Sequence, residues 1–133
     1  MSNFKRNLVA IGILLLLDFM WIGLFMGQKY NHMISEVQGS DMKVKLPFVI
    51  LAYLLMSIGL VVFVLPNIRK GNELKDSLMY GFTFGIVVYG IYDFTIGAVI
   101  TNWDNKLAAV DILWGGFVYG ITAYLASKIS PLS

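Results

Sequence analysis

The chain has 133 residues, 58% of them hydrophobic and 14% charged, with a mean hydropathy of +0.74. Soluble domains run at about 45–50% apolar and about 25% charged, so an ordinary soluble enzyme and a disordered tail are excluded. Ten Lys/Arg against eight Asp/Glu leave +2, without the basic run that nucleic acid requires; zero cysteines remove disulfides and thiolate chemistry, and one histidine removes a multi-histidine metal site.

An apolar run of about 20 residues crosses a hydrocarbon core of roughly 30 Å. The first such run is Leu8 to Gly27, broken only by Asp18. It is too long for a secretory h-region and no small-residue cleavage pattern follows it, so no removed leader is expected. The connection after it, QKYNHMISEVQGSDMKVK, places Tyr30, Met33, Ile34 and Val37 at helical spacing before Gly39. Two readings fit: a short amphipathic helix on the outer surface acting as a lid, or a simple continuation of the first span past the interface, which is preferred. His32 in this stretch reads as a surface residue rather than a ligand.

The second span, Leu46 to Leu65, carries no charge; Pro47 suits its first turn and Pro66 stops it. The third, Leu78 to Ile100, contains Asp93, and the fourth, Leu107 to Ser127, contains Asp111 near its start. These segments are apolar all round, and they lack the alternation of barrel strands. The expected fold is therefore all-α: a polytopic membrane four-helix bundle forming one transmembrane domain over residues 1–133. Four spans put both termini on one side with Lys5, Arg6, Arg69, Lys70, Lys75 and Lys128, and leave Lys29, Lys43, Lys45 and Lys106 on the other. Six against four points to cytoplasmic termini, in the inner or plasma membrane if the chain is bacterial.

The first and fourth spans share a pattern, Asp-x-x-Trp-x-Gly: Asp18, Trp21 and Gly23, then Asp111, Trp114 and Gly116. Residues three apart share a helix face, so each carboxyl is expected beside its own indole. The third span adds Tyr89 and Asp93, four apart, with Tyr92 adjacent. At 1.5 Å per residue, Asp18 lies roughly 13 Å below the outer end of its span, Asp93 roughly 10 Å and Asp111 roughly 6 Å. All three acids thus fall between the midplane and the outer interface, with Trp103 expected as an interfacial belt residue at the edge. No Lys or Arg lies inside any span. Each Asp costs about 2.5–3.5 kcal/mol at a helix centre, and acids in that position ordinarily face the bundle interior at a pathway or binding site.

Small residues four apart let membrane helices approach closely. Gly23 and Gly27 form such a pair on the first span, Gly81 and Gly85 on the third, and Gly116 and Gly120 on the fourth; the second span has none. Helices one, three and four are therefore expected to form a polar-lined core, with the second more peripheral.

The stretch YDFTIGAVITNWDNKLAAVDILWGG, Tyr92 to Gly116, resembles the DUF2177 family of small predicted membrane proteins of unknown function. The family shows L-D-x-x-W near its N-terminus, then Y-D-x-T-N-x-A-T with a following Trp, then D-x-x-W-G. Leu17, Asp18 and Trp21 match the first block; Tyr92, Asp93, Thr95, Ala98 and Trp103 the second; Asp111, Trp114 and Gly115 the third. Ile96 and Val99 replace the family's Asn and second Thr, which makes this version drier. The resemblance implies a four-helix membrane fold and supplies no activity.

The candidate ligand- or proton-binding residues are Asp18, Trp21, Tyr89, Tyr92, Asp93, Thr95, Asp111 and Trp114. Carboxyls can hold protons or a cation, and Trp and Tyr faces an organic cation. The leading expectation is a small cation- or proton-linked carrier or ligand-binding protein. The alternatives are an intramembrane lipid- or isoprenoid-modifying enzyme, which lacks an aspartate-rich cluster, a histidine box or a reactive Ser or Cys arrangement, and an accessory subunit that oligomerises through its glycine faces. The expected partners are the lipid bilayer, a proton, a small organic cation or a lipid, and a second copy of the chain. No cofactor or metal is assigned.

Overall fold

The structure, a computed structural model, describes residues 2–40, 43, 45–101 and 103–129. Four helices are long and apolar enough to cross a membrane: α1 Phe4–Gln38, α2 Leu46–Asn67, α3 Glu73–Val99 and α4 Asn105–Ile129. No strand occurs among the described residues. Large apolar side chains point outward on all four helices, among them Phe19, Leu55, Phe94 and Leu113. Such a surface suits lipid rather than water.

α1 does not turn after Gly27. It continues to Gln38 and stops where Gly39 adopts φ +75° and donates its N–H to the Ser35 carbonyl, the left-handed cap that glycine supplies most readily. The Gly27–Lys45 connection is thus mostly a continuation of the first span, not a separate surface helix. At 1.5 Å per residue, α1 is roughly 50 Å long, well beyond the hydrocarbon. Its distal part is nevertheless anchored: Met26 and Met33 are buried, and Tyr30 stacks on Trp103 with ring centroids 6.4 Å apart. Trp103 is therefore buried beneath Tyr30, rather than exposed as a belt residue. Wide π-type turns at Ile22–Met26, Leu60–Val64 and Ser77–Phe82 let α1, α2 and α3 absorb local misfits without breaking.

α4 is the helix the others pack around, with α3 alongside it and α1 across it. Ala10 and Leu14 of α1 meet Val118, Tyr119, Ala123 and Ala126 of α4 in the buried core. Glycine brings α3 and α4 together: a Cβ at Gly81 would lie 2.9 Å from the Tyr119 carbonyl oxygen, and one at Gly85 would collide with the Gly115 backbone. Gly116 likewise leaves room for Ile86 and Phe82.

Two expectations about packing are corrected. Among the described residues, a Cβ at Gly23 would meet open space, and one at Gly27 would first meet Ile22 of its own wide turn, so neither glycine serves a close approach of helices. The face of α1 that meets α4 runs through Ala10, Leu14 and Asp18, whose four-residue spacing sets it away from Gly23. Nor is α2 peripheral throughout. Its first half exposes Phe48, Leu51, Leu54 and Leu55, but Leu60, Val64 and Leu65 enter the core. A single small residue, Gly59, admits the Phe84 ring, which a Cβ would approach to 2.5 Å.

The α2–α3 connection is held by Asp76, fully buried, whose Oδ2 accepts from the Arg69 backbone N–H (2.8 Å) and Nε (2.9 Å) and whose Oδ1 accepts from Nη2 (2.9 Å). At the other end, Asp104 Oδ1 accepts the N–H groups of Lys106 (2.9 Å) and Leu107 (3.1 Å), satisfying orphan donors at the start of α4. That cap sets where α4 begins, and hence where Asp111 lies.

Candidate functional site

Asp18, Asp93 and Asp111 are 4%, 1% and 5% exposed, so all three carboxyls turn inward although their helices are largely coated with outward apolar side chains. Asp18 lies roughly 18 Å along α1 from Arg6, whereas Asp111 lies roughly 26 Å along α4 from Lys128. Asp18 is the deeper of the two.

Asp18 is well provided for. Its Oδ1 accepts a hydrogen bond from Tyr89 Oη of α3 at 2.8 Å and one from Trp114 Nε1 of α4 at 3.3 Å, and the Tyr53 hydroxyl of α2 is also close. The indole beside Asp18 is therefore Trp114, not the Trp21 that its own helix offers. Trp21 instead lies flat on Trp114, with ring centroids 4.6 Å apart and planes only 6° from parallel. The two Asp-x-x-Trp motifs are thus joined across helices: the stack fixes the orientation from which Trp114 donates.

Asp111 stands between the other two acids, within electrostatic range of Asp18 and next to Asp93. The Tyr30 hydroxyl approaches Asp111 from the extended part of α1. Asp93 differs from Asp18 in one decisive respect. Both of its carboxyl oxygens are buried without a hydrogen-bond partner, and the nearby Trp103 Nε1 is a buried donor without an acceptor. Asp93 lies within hydrogen-bonding reach of both Asp111 and Trp103, but among the described residues neither contact has the geometry of a closed hydrogen bond. Buried polar groups are paired in the great majority of cases, so unsatisfied acceptors and an unsatisfied donor at one place mark a site.

That place opens outward. A groove of about 580 Å³ runs between the end of α3 and the start of α4, lined by Asp93, Phe94, Gly97, Trp103, Ala109 and Leu113 among others. Its lining is mostly apolar, with Asp93, Trp103 and Asn105 as the polar members. Phe94 and Leu113, both lining residues, stand 71% and 59% exposed, so the groove opens between apolar side chains.

The remaining candidates fall outside this grouping. Tyr92 is 51% exposed and Thr95 is exposed, so neither turns inward with Asp93. The cause is helical phase: Tyr89 and Asp93, four apart, share the inner face, while neighbours one or two positions away turn about 100° or 200° from it. Gly81, Gly85, Gly116 and Gly120 lie at the α3–α4 contact, so their close-packing surface is already used within the chain. Tyr30, Tyr53 and the binding geometry of Trp103 were not anticipated. Tyr30 carried a signal, its helical spacing with Met33 and Val37; Tyr53, a lone tyrosine in a charge-free span, carried none. Among the described residues no cluster of three or more His, Cys, Asp or Glu fits a metal ion.

Comparison with curated proteins and with solved structures finds no match. The family described as predicted membrane protein (DUF2177) matches residues 4–127, a stretch holding the first three helices, all but the last two residues of α4, the three buried aspartates and the stacked tryptophans. The chain belongs to the DUF2177 family of predicted membrane proteins.

Proposed function

We propose that this protein binds a small organic cation in the α3–α4 groove, as a carrier or ligand-binding protein in which binding is exchanged against protons held by the aspartates. The observation that carries this reading is Asp93, a lining residue of the groove whose two buried oxygens lie beside Asp111 and Trp103 without closing a hydrogen bond among the described residues. A protonated amine donates up to three hydrogen bonds and supplies the positive charge that no Lys or Arg inside the groove offers. Two adjacent carboxyls away from water repel each other when both are ionised. One bound proton or one bound cation relieves that repulsion, which makes the two interchangeable at Asp93 and Asp111. Asp18, already satisfied by Tyr89 and Trp114, holds the three packed helices in register beneath the site. The apolar walls favour an amine attached to a hydrophobic body. The excess of basic residues on the terminal side supports cytoplasmic termini, with the groove in the opposite half of the membrane.

The test uses the purified protein in nanodiscs and a fluorescent primary alkylamine, dansylcadaverine, titrated in weakly buffered solution. Wild type is expected to bind with release of protons, and Asp93→Asn to bind at least tenfold more weakly while unfolding at a similar temperature. Asp93→Asn binding as tightly as wild type, or wild type binding a neutral dansyl alcohol equally well, overturns the reading.

A further inference from the structure

Arg6 sits near the start of α1, at the end of the bundle that carries both termini, and is only 4% exposed. Its Nε and Nη1 are buried and have no acceptor among the described residues. A guanidinium cannot shed its proton in a protein and has five donors to satisfy, so it cannot escape burial by becoming neutral. Buried charges are paired or bound to something that pairs them.

Among the described residues, the acids at this end of the bundle are otherwise engaged. Asp76 spends both oxygens on Arg69. Glu73 lies 3.8 Å from Lys128, and the Ser127 hydroxyl donates to the Tyr124 carbonyl at 2.7 Å. Arg6, Ile68, Arg69, Lys70, Glu73 and Ser127 line one small pocket; with Arg69 balanced by Asp76, Arg6 and Lys70 against Glu73 leave it positive. Its inner space is about 10 Å³, room for one oxygen-sized atom. It is too small for a whole anion but suits one oxygen of an anion seated at the mouth. The mouth is cationic, with Arg69 and Lys70 exposed. Exposed Phe4 and Leu8 flank Arg6 in the chain, and Leu74 adjoins Glu73, so the pocket lies where apolar surface gives way to polar surface. Basic pockets between membrane helices at that level suit phosphate headgroups, and Arg matches phosphate geometry.

We propose that this pocket binds a phosphate group, with one oxygen reaching Arg6 inside and the others meeting Arg69 and Lys70 at the mouth. The site lies roughly 18 Å along α1 from Asp18 and does not depend on the reading of the groove.

The test starts from protein purified in the phosphate-free detergent dodecyl maltoside, to which phosphatidylglycerol, phosphatidylcholine or inorganic phosphate is added. The readouts are the thermal unfolding midpoint and retained lipid by native mass spectrometry. Phosphatidylglycerol is expected to raise the midpoint by several degrees in wild type, with Arg6→Gln losing most of that increment and Lys70→Gln weakening binding a few-fold. An increment from inorganic phosphate, equally lost in Arg6→Gln, assigns the site to a free anion; an increment from lipid alone assigns it to a headgroup. Equal increments in wild type, Arg6→Gln and Lys70→Gln, or no increment with any phosphate source, overturn the proposal. If Arg6→Gln does not fold, Lys70→Gln alone decides, because its side chain lies at the exposed mouth.

Discussion

Replacing Gly85 by alanine tests the α3–α4 contact on which the site is built. A methyl there would sit 2.8 Å from Gly116 Cα and closer still to the Gly115 carbonyl. Carbon atoms pack best at about 3.5–4.0 Å, so the two backbones must part by at least about 0.7 Å. Both obstacles are main chain, so no rotamer change relieves them. Overpacking of this kind costs about 1–3 kcal/mol, and the rigidity of the obstacle places Gly85→Ala near about 3 kcal/mol, roughly a hundredfold in the unfolding equilibrium. Gly120 provides the internal control. A methyl there meets Phe82 at 3.6–3.7 Å, ordinary contact, and alanine is the better helix former, so Gly120→Ala is expected to be neutral or slightly stabilising. Both variants are measured by thermal and denaturant unfolding in one detergent. Gly85→Ala as stable as wild type, or Gly120→Ala the more damaging of the two, refutes the glycine contact as described. Tyr89 lies one turn beyond Gly85 on α3, so the same variant is also expected to loosen the Tyr89–Asp18 hydrogen bond.

Other consequences can be measured separately. Tyr89→Phe removes the 2.8 Å donor to Asp18 and is expected to cost about 1 kcal/mol of stability, within the range of interhelical hydrogen bonds in membranes; Tyr92→Phe and Thr95→Val, on exposed faces, should stay within about 0.5 kcal/mol of wild type by the same unfolding assay. Trp114→Phe breaks both the stack on Trp21 and the donor to Asp18, so the near-ultraviolet circular dichroism of the indole band should fall by much more than in Trp103→Phe; equal losses count against the stack. Asp76→Asn removes the charge that Arg69 clasps and should speed tryptic cleavage in the α2–α3 connection several-fold without altering alkylamine binding at the groove.

The membrane class, the four spans and the three acids could be read from the chain because each depends on local composition: a run of about 20 apolar residues needs no partner to declare itself, and a carboxyl inside one is conspicuous by cost alone. Phase along a single helix places Tyr89 and Asp93, four apart, on one inner face, but the motif match keeps Tyr92 and Thr95 among the candidates although the same spacing turns them away from it. Partner choice could not be read from the chain. Asp18 takes its indole from Trp114 rather than Trp21, Gly23 faces open space while Gly59 receives Phe84, and Trp103 is buried under Tyr30. Each of these is settled by the rotation of one helix against another, through contacts between residues tens of positions apart. The unpaired state of Asp93 and of Arg6 belongs to the same level, because whether a buried polar group lacks a partner is a property of every element packed around it.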